Sequence, residues 1–412
     1  MFNSNNIDLF YLNQLIKNKD ITSSDIEAKL SYSRSYIYDV LKKRRNFSYA
    51  FFDDVIKKFN IEYHPDDNAY TQCYEIVISL AIDVVKLDNR AFKQKVENYR
   101  NKRDYYVKSR GFVFVSLIDF IISHRLREYA NYDHMIEVCY PYFSFYDDSL
   151  VFVFLLYFTF THPVQDNFKV LSSFYDYCLT NYKIDRVNDY IKGFIYFQLG
   201  KLNTIKPDFF LSYKYFHQSM ECFKNVYLIN RVIECEVQIG CLYADMLQVE
   251  KAIGQLEKCL NQAIEHNLTF RKCTCYNNLS FLYFYQGDYD KAKEYIRYAL
   301  DNGSKFTTIS YMLAYISIME DPKSKSRSLI KQLIDKQEDL YDSRVLKLIQ
   351  ALLNNNEEKL PKYYELTVNM MKEINNTLEI RLIHKMIINY LEKQDKLVLL
   401  DKYMTLAIQY LL

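Results

Sequence analysis

The chain has 412 residues, 50% of them hydrophobic and 17% aromatic, with 53 Lys+Arg against 51 Asp+Glu for a net charge of +2. This composition supports a large core and excludes a disordered chain, and the near-neutral balance gives the molecule as a whole no bias toward nucleic acid or anionic surfaces. Only 7 Gly and 6 Pro occur, which argues against a sheet-and-turn protein, and the 40 Tyr and 28 Phe read as half-buried helix positions rather than as a site.

Residues 1–64 read as a compact four-helix unit. Ile7–Lys17 is the first helix. Thr22 precedes a second, Ser23–Leu30, with Asp25 placed to complete a capping box. Ala28 stands mid-helix, where a crossing helix needs a small side chain. Ser31 and Tyr32 make a tight turn, and Ser33 caps a third helix, Arg34–Lys43, with Ile37, Val40 and Leu41 inward. Ser48 caps a fourth, with Phe51, Phe52, Val55, Ile56 and Phe59 inward. The breaker Tyr63-His64-Pro65-Asp66-Asp67 puts a domain boundary at 64.

Ile21–Leu41 has helix-turn-helix spacing, which offers the N-terminal side chains of the third helix to a DNA major groove. Arg34, Ser35 and Tyr38 are the candidates for base edges, since an arginine pairs two-fold with guanine, and the cap Ser33 is a further candidate for DNA contact. Lys29 and the knot Lys42, Lys43, Arg44 and Arg45 are the candidates for phosphates, which supply affinity without sequence choice. The stretch Ser33–Ile37 resembles the opening of the recognition helix in phage-repressor domains, although Ser31 and Tyr32 replace the usual turn glycine. The basic stretch Arg90–Arg110 reads as an outer, solvated face.

From Tyr70 onward helix follows helix: Thr71–Leu87, Ala91–Tyr106, Phe112–Leu126, Met135–Phe143, Leu150–Thr161 and Asn167–Thr180, a divergent repeat region over 65–185. A repeat is explicit over 186–376. Glu236, Ile239, Gly240, Tyr243, Ala252, Leu256 and Cys259 are echoed by Tyr276, Leu279, Ser280, Tyr283, Ala292, Ile296 and Ala299. Gly193, Tyr196, Gly200, Ser212, Phe216 and Ser219 occupy the same small and large positions one unit earlier. This is the tetratricopeptide pattern: small residues where paired helices touch, large ones filling the space to the next pair. Weaker pairs follow at Thr308–Met319 with Lys325–Lys336 and Ser343–Asn354 with Pro361–Ile374. Leu378–Leu391 and Lys396–Leu411 cap the stack over 377–412 and are expected to carry dimer contacts. The fold class is therefore all-α, a helix-turn-helix domain followed by a tetratricopeptide-like α-solenoid.

Stacked pairs of this kind enclose a concave groove. Its expected floor is Tyr190, Phe194, Phe197 and Gln198, then Val237, Cys241, Ala244 and Asp245, then Thr274, Asn277, Phe281, Phe284 and Tyr285. Gln198, Asn277 and Asn278 can bond both sides of a peptide backbone. Asp245 suits a basic side chain and Arg271 a carboxylate or polar one.

The 9 Cys show no CxxC and no zinc spacing, which fits reduced thiols in a cytoplasmic protein. Gly111–Ser123 and Ser149–Phe160 are apolar but too short to span a bilayer, so no membrane partner is expected. The 7 His lie without metal or triad spacing, and no phosphate loop or nucleophile elbow occurs. The sequence thus points away from an enzyme and implies no cofactor and no metal.

A small helix-turn-helix domain ahead of a tetratricopeptide stack resembles the quorum-sensing RRNPP receptors of low-GC Gram-positive bacteria and their phages. Within that group the resemblance is best to the arbitrium receptors (AimR-like) of temperate phages. It rests on Phe270–Leu300, opened by Phe270-Arg271 and carrying Tyr289-Asp290-Lys291-Ala292, and on the helix pattern of Val345–Leu399. The resemblance implies a homodimeric transcription regulator in the bacterial host cell, whose binding to a double-stranded DNA operator is altered by a short signalling peptide, here in lysis–lysogeny control. It implies a part in peptide recognition for Arg271. The alternative is a Rap-like protein that binds and sequesters a partner protein without binding DNA.

Overall fold

The computed structural model describes residues 4–18, 20–128, 131–162, 164–304, 308–320, 324–336, 340–354, 356, 358–373 and 376–411. Among them the chain is helical throughout, with no strand and only an isolated bridge between His64 and Ser109. It forms two compact units, Met1–Pro163 with Lys169–Lys192, and Val164–Phe168 with Gly193–Leu412.

The first unit opens with α1 (Ser4–Lys17), α2 (Ser23–Leu30), α3 (Arg34–Leu41) and α4 (Tyr49–Lys58). The capping box forms: the Thr22 hydroxyl accepts from the Asp25 N–H at 3.1 Å, and the Asp25 carboxylate accepts from the Thr22 N–H at 2.9 Å. Ser33 caps α3 by accepting from the Tyr36 N–H. Ser48 precedes α4 but makes no capping bond. Ser31 takes the left-handed conformation (φ 56°) that a turn glycine takes without strain. Ala28 does not sit at a helix crossing: it is exposed, and Ile26, fully buried, is the side chain α2 turns inward. The third helix ends at Leu41, two residues early, because Lys43 turns left-handed (φ 57°) and the Arg44 and Arg45 N–H groups fold back onto the Asp39 carbonyl.

Then come α5 (Asp67–Lys86), α6 (Asn89–Val107), α7 (Phe112–Leu126), α8 (Tyr132–Cys139), a 3-10 turn at Tyr140–Phe145 and α9 (Asp148–Thr161). The two strongly apolar segments become α7 and α9, buried on nearly every side, and α7 packs against α5, α6, α8 and α9. Among the described residues no helix is long and apolar enough to cross a membrane. The basic stretch before α7 is largely engaged within the unit: Lys95 with Asp83, Arg100 with Glu128, Arg103 with Asp119, Lys108 with Glu62 and Asp104. Arg110 pairs with Asp8 of α1 at 2.6 Å, both side chains buried, and the Tyr63 hydroxyl donates to the same carboxylate at 2.7 Å. The breaker at 63–67 is thus stitched to α1 and to the start of α7. Next, α10 (Val164–Asn181) is broken at Asn167 (φ −120°, ψ 20°), and a 3-10 turn follows at Ile184–Arg186.

The second unit contains most of α11 (Asp189–Ile205), then α12 (Phe209–Asn225), α13 (Ile229–Asp245), α14 (Val249–Glu265), α15 (Thr269–Gln286), α16 (Tyr289–Asp301), α17 (Thr308–Glu320), α18 (Ser324–Lys336), α19 (Leu340–Leu353), α20 (Lys359–Glu373), α21 (Thr377–Lys393) and α22 (Leu397–Leu411). The expected end of the helix before α21, Ile374, lies outside the described residues. From α12 to α16 each helix packs on the next. The repeat glycines sit where a side chain would collide. A Cβ on Gly200 would meet the Phe216 ring at 2.5 Å, one on Gly193 Phe223 at 2.9 Å, one on Gly240 Leu256 at 3.0 Å. Ala252, Cys259, Ser280, Ala292 and Ala299 are fully buried at the equivalent contacts. The small positions are therefore a consequence of helix proximity, as the pattern required.

Candidate functional site

In the first unit, the residues expected to meet DNA are all exposed. Ser33, Arg34, Ser35 and Tyr38 are solvent-exposed on the cap and first turns of α3, as are Lys29 and Lys42–Arg45. Ile37 and Val40 on the opposite face are fully buried. The helix is held by its apolar stripe and presents its polar stripe outward. The cations are partly pre-placed by aromatic rings: Arg44 over Tyr38 at 5.5 Å, Arg45 over Tyr36 at 4.7 Å, Lys29 over Phe59 at 4.6 Å. Tyr32 donates to Asp54 at 2.7 Å, and this bond pushes its phenol pKa up to about 12. The turn is thereby tied to α4.

In the second unit, α13 and α15 turn one face toward α21. Two cavities lie along it. The larger, about 520 Å³, is lined by the end of α11 with the following loop, by Asp245 and Met246, and by Asn376, Thr377 and Arg381. The smaller, about 200 Å³, is lined by Cys241, Asp245, Asn277, Asn278 and Phe281, with Asn376 and Glu379 opposite. Asp245 and Asn376 border both, so the two form one interrupted groove.

The expected peptide contacts divide into three groups. Asp245, Asn277, Asn278 and Phe281 line the smaller cavity. The Asn277 side-chain oxygen accepts from Thr308 at 2.9 Å, and the Asn278 amide donates to the Cys241 sulfur at 3.5 Å, so both amides are oriented before any guest arrives. Gln198 is buried within α11 and Thr274 returns its hydroxyl to the Phe270 carbonyl; neither lines the two cavities. Tyr285 is covered by the chain itself: Lys385 of α21 donates to its carbonyl at 2.6 Å and lies 5.2 Å above its ring.

Arg271 departs most from expectation. It is buried, and its guanidinium bonds Asn230 at 2.7 Å and Glu234 at 2.7 Å. Glu234 also pairs with Arg231, which stacks on Phe194. Desolvation lowers the Arg271 pKa against the pull of Glu234. The residue fastens α15 to α13 rather than facing the groove, because an unpaired guanidinium at that depth is costly. Asp245 is the opposite case. Among the described residues no cation pairs with it, and desolvation pushes its carboxyl up to about 6.

Sequence reasoning missed the second wall. Thr377, Glu379 and Arg381 belong to the segment assigned to capping, Asn376 is the last residue of the repeat segment, and no local signal marks the four as groove residues. Asn376 caps α21 by accepting from the Glu379 N–H at 3.1 Å, and a cap marks a helix start, not a groove. None of the 9 Cys forms a disulfide, and eight are buried. Among the described residues no three His, Cys, Asp or Glu converge as a metal site.

Several solved structures share this architecture. A Rap protein complexed with competence and sporulation factor superposes with a TM-score of 0.62 at 16% identity, covering 83% of this chain and 96% of its own. The apo quorum sensor NprR from B. thuringiensis gives 0.60 at 14%, covering 83% and 99%. The chain has the fold of these proteins. The Rap conjugation gene regulator of plasmid pLS20, in complex with the Phr* peptide, gives 0.52 at 15%, covering 83% and 94%. No protein-family model and no curated protein matches the chain.

Proposed function

We propose that the chain is a DNA-binding transcription regulator whose activity is set by a short peptide held in the groove of its second unit, of the arbitrium-receptor type within the RRNPP group. The observation that carries this reading is the groove itself. Two cavities flank Asp245, with oriented amides on one wall and between them a carboxylate that no cation pairs with among the described residues. That is the equipment for an extended backbone with a few polar side chains. NprR with its cognate peptide NprX, at 0.57 and 16% identity, and the Rap complexes lend the same reading weight through their shared fold.

The head adds the output. We assign α2 and α3 as a helix-turn-helix, with Arg34, Ser35 and Tyr38 toward bases and Lys42–Arg45 toward phosphates. Pairing of two heads fits a palindromic operator, and α22 offers a surface for it in exposed Leu397, Val398, Met404 and Ile408. The test is a mobility shift of the full chain with DNA flanking its own gene, across a salt series, with and without a library of short peptides. Salt-steep retention that a particular peptide alters is expected. The exposed Phe210, Tyr227 and Phe270 of the second unit favour a second reading, a Rap-like protein that sequesters a partner. Peptide binding without any DNA retention would select it.

A further inference from the structure

We infer that the groove reads a cationic group of its guest peptide at Asp245 and a carboxylate of the guest at Arg381. This rests on the peptide-groove reading above and adds the charge pattern of the ligand.

Asp245 is the last residue of α13 and stands where the two cavities meet. A carboxylate there is opposed twice, by loss of water and by the negative end of its own helix. Desolvation does move its carboxyl up toward neutrality. Nothing among the described residues offsets this, so a cation delivered by a guest gains a partner already placed and already stripped of solvent. Arg381 lies across the larger cavity on the first turns of α21, half-buried and without an ion-pair partner among the described residues. The two charges share that cavity without forming an ion pair with each other. The smaller cavity holds a second acid, Glu379, and no Lys or Arg. The larger cavity therefore carries one charge of each sign, and the smaller one carries only acids. Arg271, the carboxylate partner expected from sequence, is closed off by Glu234 and Asn230.

The cation can be an Arg or Lys side chain or an N-terminal ammonium, and the carboxylate can be C-terminal or from Asp or Glu. The full chain is screened by thermal shift against a positional-scanning library of short peptides. The best binder is remade N-acetylated, with Arg or Lys replaced by citrulline or norleucine, with a C-terminal amide, and with Asp or Glu replaced by Asn or Gln. One cation deletion and one carboxylate deletion are each expected to weaken binding to the native chain about tenfold or more. The cation effect disappears in Asp245→Asn, the carboxylate effect disappears in Arg381→Gln, and Arg381→Lys retains most of it. A binder whose affinity moves less than about twofold on every charge deletion overturns this inference and leaves the peptide groove standing. Deletion effects that persist unchanged in both variants overturn it equally. A library without any binder removes the groove reading and this inference together.

Discussion

In the head, Arg34, Ser35 and Tyr38 stand within a turn and a half of one helix, all exposed, and the buried face of that helix holds them in place. In the groove, Asp245, Asn277 and Arg381 come from α13, α15 and α21, and all are at least partly buried. A protruding helix needs only local order to present its side chains. An enclosed site needs walls, and the residues in those walls are claimed first by packing. Arg271 and Tyr285 were claimed in this way; Asp245 was not. The comparison says where to seek contacts in each region: on the polar stripe of a short helix in one, among the unpartnered charges in the other.

The largest test of that contrast lies in the buried pair beneath the head. Arg110→Ala leaves Asp8 in the core without its guanidinium partner, and is expected to cost about 3–5 kcal/mol in equilibrium urea unfolding. Arg34→Ala, on the exposed face, changes stability by less than about 0.5 kcal/mol. Equal stability of the two variants would show that the head's order does not depend on this pair.

The groove should behave in the reverse sense. The Asp245 pKa is about 6 in the folded chain against 3.8 for the free side chain. Between these values the folded state holds the extra proton, so stability falls as pH rises through that window, and the full cost is present above about pH 6. Asp245→Asn is therefore expected to stabilise the free protein at pH 7.5 by about 1–3 kcal/mol, with the gain fading below pH 4. A loss of stability at pH 7.5 would mean that Asp245 has a partner in the free chain.

In the head, Arg34→Ala is expected to lose about 1–3 kcal/mol of operator affinity and to relax preference at one base position. Lys43→Ala weakens all sequences alike and lowers the salt slope by about one. If the two variants lose the same base preference, the division into base-reading and phosphate-holding residues fails.

The smallest test concerns the repeat. Gly254 has nothing within 4 Å of a built Cβ, whereas Gly200 faces Phe216 at 2.5 Å. Gly254→Ala is expected to gain about 0.5–1 kcal/mol from reduced backbone entropy. Gly200→Ala is expected to lose about 1–2 kcal/mol, since overpacking outweighs the same gain. Matching signs in thermal unfolding would remove helix proximity as the reason for the small positions.

What could be read along the chain was what depends on neighbours in sequence. The Thr22–Asp25 box, the Ser33 cap and the alternation of small and large residues from Gly193 to Ala299 each act over a few residues or within one helix pair, and each appears as expected. Ala28 misled because a small residue is equally at home on an exposed helix face. Ser48 misled because a capping residue type does not oblige the side chain to cap.

By itself, then, the order of residues determined an all-helical chain, the place of its first turn and the contacts inside its repeats, because helix periodicity and capping are short-range. The tertiary structure alone decided that α21 meets α13 and α15, that Glu234 closes off Arg271, and that Asp245 and Arg381 line one cavity without an ion-pair partner among the described residues. Those are encounters between segments far apart in sequence. Which charge finds a partner there is settled by depth and distance, and neither is written in the type of any single residue.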